Sequence, residues 1–112
     1  MRKLKKYGNV ISKLLKEYQH DHSAQNIEEH LITDYEHGHF QLLRTGWADE
    51  NTYRMGILLH FQIKPSGKVW ILANWTEDDV AEALTNLGVA KEDIVLGFQP
   101  EFVRPYSGYA VI

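Results

Sequence analysis

The chain has 112 residues, 44% of them hydrophobic and 24% charged, with a formal net charge of −3 and no cysteine. That is one ordinary globular domain, 1–112, with little room for a second. The missing thiols exclude disulfides, thiolate zinc sites, iron–sulfur clusters and cysteine nucleophiles, and no apolar run approaches the ~20 residues that span a bilayer.

The first sixteen residues carry Arg2, Lys3, Lys5, Lys6, Lys13 and Lys16 and no acid, a charge of +6 that leaves −9 on the remainder. No signal-peptide core follows these lysines, so the expected location is the cytoplasm. Leu4, Tyr7, Val10, Ile11, Leu14, Leu15 and Tyr18 recur at helical spacing, which predicts an amphipathic helix over residues 3–19. Its basic side is a solvated face or, in a direct DNA binder, a phosphate contact weakened by the acidic body. The polar stretch QHDHSAQN then reads as a connector.

From Ile27 the period changes to two. Strands are predicted over Ile27 to Tyr35 and His39 to Trp47, parted at Gly38, and over a long run in which Tyr53, Met55, Ile57, Leu59, Phe61 and Ile63 share one apolar face. Pro65, Ser66 and Gly67, with Gly67 at positive φ, turn the chain into a fourth strand over Lys68 to Asn74. Thr76 offers an N-cap, Glu77, Asp78 and Asp79 suit the positive end of a helix, Val80, Ala81, Leu84 and Leu87 give its buried side, and Gly88 stops it.

The predicted fold is α+β: an N-terminal helix, a four-stranded antiparallel meander, a second helix, a short extended segment and an irregular packed tail. Both sheet faces carry apolar groups, since Leu58 with Leu43 and Trp47, or with Trp70 and Leu72, lies away from the stronger face. Two helices can cover one face each, or one face is completed by another subunit. Trp47, Leu58, Trp70 and Leu72 are the candidate interface of a homo-oligomer, with a dimer as its expected form.

The last segment, KEDIVLGFQPEFVRPYSGYAVI, is too apolar for a loose tail and, with Pro100, Pro105, Gly97 and Gly108, too interrupted for a helix. Ile94 and Leu96 are expected to enter the core, and Phe98, Phe102, Tyr106 and Tyr109 to pack across the body. Arg104 either pairs with an acid such as Asp93 to fix the tail's path, or joins Tyr106 and Phe102 in a protein-docking surface.

Chemical motifs are sparse. His20-Asp21-His22 and His37-Gly38-His39 have the spacing of metal-ligand pairs but lie in polar, turn-like segments without a third ligand, which marks them as surface histidines. His60 with a carboxylate would serve a small metal-independent acid–base enzyme, but six histidines make such a pairing easy to draw. No glycine-rich phosphate loop or nucleophile elbow is present in the sequence. The expectation is a protein without catalytic residues, cofactor or metal.

Lys91-Glu92-Asp93-Ile94-Val95-Leu96-Gly97-Phe98, followed by Pro100, Arg104, Tyr106 and the pair Tyr109-Ala110, resembles the closing segment of the XisI proteins, fdxN-element excision-controlling factors of cyanobacteria. FQLLRTGW and LHFQIKPSGKVWI resemble that family's strand motifs, so the likeness covers most of the chain. The resemblance implies an α+β domain with an accessory role in site-specific DNA excision, acting through protein contacts with a second controlling factor of the XisH type and a site-specific recombinase. It implies no catalytic residues.

Overall fold

The computed structural model describes residues 2–20 and 26–112. Among these, helix α1 spans Arg2–Tyr18, strands β1 to β4 span Ile27–Asp34, His39–Trp47, Tyr53–Ile63 and Val69–Asn74, helix α2 spans Val80–Asn86, and β5 spans Ile94–Leu96. The sheet order is β1-β2-β3-β4-β5. The first four strands form the antiparallel meander foreseen from the turns. The short extended segment is not a separate piece but a fifth strand, parallel to β4 with Val69 opposite Ile94. A parallel neighbour requires a crossover, and α2 supplies it.

The turns behave as their residues dictate. Gly38, Gly67 and Gly88 all have positive φ. At Gly38 the constraint is double, because a Cβ there would run into the carbonyl oxygen of Ile63 while the Gly38 carbonyl accepts the Ile63 N–H at 2.8 Å.

The second helix starts three residues later than Thr76 suggests. Asp79 is its N-cap, accepting the Glu82 N–H at 3.0 Å. The Thr76 hydroxyl donates instead to Asn74 Oδ1 at 2.6 Å and accepts from the Asp78 N–H at 3.2 Å, so it is used up in the turn leaving β4.

One core holds the molecule together. Tyr7, Ile11, Leu14 and Leu15 of α1 and Val80, Ala81 and Leu84 of α2 join Phe40, Leu42, Leu59, Phe61, Ile63, Val69, Ile71 and Ile94 in a single buried cluster. Both helices therefore lie on the same sheet face, not one on each. Asp93, 9% exposed, ties the layers together. It accepts the Tyr7 hydroxyl at 2.6 Å and lies 3.0 Å from Lys3 Nζ, so α1 is fastened to the entry of β5.

The alternation of β3 does not run unbroken. Leu42 pairs with Leu59 but Leu43 with Ile57, so Leu58 is an extra residue in a β-bulge. Beyond it the side chains exchange faces. Leu59, Phe61 and Ile63 enter the core, whereas Ile57, Met55 and Tyr53 line up with Leu43, Thr45 and Trp47 on the face without helices. Strand β4 reaches only Asn74, opposite Leu59, so the far half of the β2–β3 ribbon projects past it. The described chain measures 45 × 30 × 23 Å, with a radius of gyration of 15.0 Å, against about 13 Å for a compact domain of this size.

Candidate functional site

The helix-free face is the first candidate surface. Trp47, 50% exposed, and Tyr53, 53% exposed, meet edge to face with centroids 5.2 Å apart, and Met55 beside them is 69% exposed. Ile57 and Ile32 are exposed too. Apart from Ile32, which stands opposite Gln41, these residues lie on the projecting ribbon.

Trp70 and Leu72 alternate with the buried Val69 and Ile71, so they share the helix-free face, but the tail half-buries them. The Lys64 ammonium sits 3.7 Å from the Trp70 ring centre and the Arg104 guanidinium 5.0 Å from it. Gly97 passes so close to Trp70, Leu72 and the Ile71 carbonyl that a side chain there would crowd them. Leu58 does not belong with these residues. Its position in the bulge turns it against the helix-covered core.

The centre of the same face is polar. His39, Gln41, His60 and Gln62 stand on adjacent strands, with His39 opposite Gln62 and Gln41 opposite His60. His39 Nδ1 lies 3.0 Å from His60 Nε2, and Gln41 Nε2 lies 3.4 Å from the same nitrogen. Burial, and then the neighbouring His39, push the pKa of His60 below the usual histidine value. His60 thus faces a second imidazole and an amide in place of the carboxylate an acid–base pair needs.

The other histidines are dispersed. His37 accompanies Asp34, with Nδ1 2.8 Å from Oδ2, and His20 Nδ1 lies 2.6 Å from the Tyr18 carbonyl. Asp21 and His22 fall outside the described residues. Among the described residues no three histidine, aspartate or glutamate side chains gather where they could hold a metal ion.

The tail is the second candidate surface. Phe102 is 77% and Tyr106 88% exposed, and Phe98 is exposed as well, so these rings do not pack across the body as their apolar character suggests. Only Tyr109 among the four aromatics rests against the core, while the Ala110 N–H donates to the Ile94 carbonyl at 2.8 Å and the chain forms a single bridge beside Val95. Arg104 is half-buried. Its expected partner Asp93 is occupied by Tyr7 and Lys3, and the guanidinium donates instead to the carbonyls of Gln99 at 3.2 Å and Val111 at 3.3 Å. Arg104 therefore fixes the tail's path through backbone carbonyls and the Trp70 ring, with Phe102 and Tyr106 projecting beside it.

Sequence reasoning missed Tyr53, Met55 and Ile57 as members of the open face. The signal was present in the run Ile57-Leu58-Leu59, where three successive apolar residues break the alternation at the bulge.

No functionally curated protein matches the chain. Crystal structures do, among them two from Anabaena variabilis. A XisI-like protein from Anabaena variabilis is 40% identical, with a TM-score of 0.89 and coverage of 97% of this chain and 99% of that one. The fdxN element excision controlling factor XisI from the same organism is 27% identical, with a TM-score of 0.83 and coverage of 98% and 99%. The XisI protein family model matches residues 1–111. With the sheet order, the helix pair on one face and the KEDIVLGF segment leading into β5 now in place, the chain belongs to the XisI family.

Proposed function

We propose that this chain is a non-enzymatic accessory factor of the XisI type, which controls site-specific excision of a DNA element through contacts with other proteins. The observation that carries the reading is the placement of both helices on one sheet face, which leaves Trp47, Tyr53, Met55 and Ile57 exposed on the other. Exposed apolar patches rimmed by polar groups mark interaction sites.

A second copy is the occupant of that face. The 11 residues of β3 span ~36 Å and four strands ~15–20 Å, a face on the order of 600 Å² in projection. That is close to the ~800 Å² each partner contributes to an interface of standard size, and a two-fold pairing of identical faces closes on itself. Trp47, Trp70 and Leu72 lie within it, while Leu58 supports it from the core side.

The tail serves the other contact. Phe102 and Tyr106 are the docking groups for a controlling factor of the XisH type or a recombinase, and Arg104 holds the segment that presents them. Sedimentation of the full chain at micromolar concentration tests the first contact, with a dimer expected. Co-purification with the XisH-type factor, before and after Tyr106→Ala, tests the second. A monomer throughout removes the self-association, and undiminished capture by the variant removes the tail as docking surface.

One observation favours a second reading. Lys5, Lys6, Lys13 and Lys16 are all exposed on α1, as a direct DNA contact requires. Tight duplex binding that collapses with rising salt would promote this reading over the first.

A further inference from the structure

The polar centre of the helix-free face has a geometry of its own. The facing nitrogens of His39 and His60 are 3.0 Å apart, while the ring centroids are 5.3 Å apart. The difference is what two imidazole radii take up when the rings point nitrogen-first at one another, the arrangement of an in-line hydrogen bond. A metal ion shared by both rings would need their lone pairs to converge at an angle on a point off that line.

The proton positions follow from the neighbours. Gln41 brings its amide nitrogen to the same His60 Nε2 that faces His39. Two donors on one ring nitrogen make Nε2 of His60 the acceptor, with the His60 proton on Nδ1 and the shared proton on Nδ1 of His39. A further proton taken up by the pair leaves one N–H between the two facing nitrogens but puts a positive charge on the pair.

The surroundings offer little compensation for that charge. On β1, Asp34 stands opposite His39 but is engaged by His37, Ile32 stands opposite Gln41, and His30 lies against Thr45 with Glu28 3.7 Å away. On β4 the neighbours are Trp70, Leu72 and Ala73, with no charge among them. The cations Lys64 and Arg104 are held over the Trp70 ring.

We propose that the His39–His60 pair makes self-association through the helix-free face depend on pH, because only the singly shared, neutral pair can be covered by a second copy. The inference rests on the face-to-face dimer proposed above. Sheets pack ~10 Å apart, so a second copy strips the pair of the water that stabilises an imidazolium. Each copy then sheds a proton on association, and the association constant falls by up to about 100-fold for each pH unit below the range in which the pair titrates.

The test is sedimentation of the full chain at constant ionic strength between about pH 5.5 and pH 7.5, a window around the ordinary histidine value. Wild type and the double variant His39→Gln/His60→Gln are compared, with far-UV circular dichroism at each pH as a check on folding. The expected result is a wild-type dimer that weakens steeply as pH falls, with a flattened profile in the double variant, which has no ring left to take up the proton. If that variant does not fold, His39→Asn/His60→Gln takes its place. A wild-type dimer equally strong at both ends, or an unchanged profile in a folded variant, overturns the pair as the sensor while the dimer stands. A monomer at every pH overturns the face-to-face packing and this inference with it.

Discussion

Replacing Tyr7 by phenylalanine deletes one oxygen and keeps the ring that packs in the core. The oxygen donates at 2.6 Å to a carboxylate on a residue only 9% exposed, and it joins α1 to the residue before β5. Hydrogen bonds to charged groups contribute a net ~1.5–3 kcal/mol. Lys3 stays 3.0 Å from the same carboxylate oxygen and keeps the loss from growing further. The expected cost at neutral pH is therefore ~1.5–3 kcal/mol. Its pH dependence has a definite sign. Burial pushes the Asp93 carboxyl up, but the Tyr7 hydroxyl and the Lys3 and Lys68 ammonium groups outweigh it and hold the carboxyl below its usual value. A carboxyl lowered on folding adds stability above its unfolded pKa of ~3.9 and loses it as pH falls through the folded value. Urea unfolding of wild type and Tyr7→Phe should show the full gap at about pH 7 and a narrower one near pH 3.5. A gap under ~0.5 kcal/mol at neutral pH, or one that widens on acidification, would refute the reasoning.

Gly38→Ala should lower stability by at least ~1–2 kcal/mol, since a left-handed backbone and a clash with the Ile63 carbonyl act together; an unchanged thermal midpoint would contradict this. Ile94→Ala should cost ~2–5 kcal/mol and exceed Leu96→Ala, because Ile94 is fully buried and Leu96 only partly so; chemical denaturation giving equal costs would dispute the placement of β5. Phe102→Ala and Tyr106→Ala should each change stability by less than ~0.5 kcal/mol while weakening capture of the proposed XisH-type partner by ~2 kcal/mol or more. Arg104→Ala should do both, lowering the melting temperature and the capture, and an effect on neither would leave the tail without a role. Glutamine at Lys5, Lys6, Lys13 and Lys16 should cost less than ~0.5 kcal/mol per site; filter binding that shows tight duplex affinity lost in this variant would shift the reading to DNA.

What the sequence discloses is what local chemistry decides. The stripe from Tyr7 to Leu15 and the turns at Gly38 and Gly67 each depend on a few neighbouring residues, and each forms where those residues indicate. β5 has three residues and no period of its own, and its pairing with β4 depends on the path of α2. Between Thr76 and Asp79 three residues, Thr76, Asp78 and Asp79, can cap a helix, and the choice is made by Asn74, which engages the threonine. Asp93 looks available to Arg104 because both stand in the closing segment. Tyr7 and Lys3, from the other end of the chain, take it. The same division holds for the candidate surfaces. Trp47 and Trp70 are legible as members of the second face by simple alternation, whereas Tyr53, Met55 and Ile57 are hidden by a bulge that only the cross-strand partner defines.

That bulge acts as a frameshift in the strand's own code. Read from Ile63 back to Leu59, every second side chain belongs to the interior; read on from Ile57 to Tyr53, the same rhythm serves the exterior, because one residue has been slipped in between. Removing Leu58 would make the ladder regular and leave Ile57 opposite Leu43, with Met55 and Tyr53 still on the exterior; pairing Leu58 itself with Leu43 is what would turn all three to the opposite side, where Gly56 now has nothing within 4 Å of its would-be Cβ. The chemistry of the open face is thus set by a count of residues as much as by their identity. Substitutions along the ribbon edit its surface one position at a time, whereas a one-residue slip that takes Leu58 into the ladder would exchange the two surfaces wholesale.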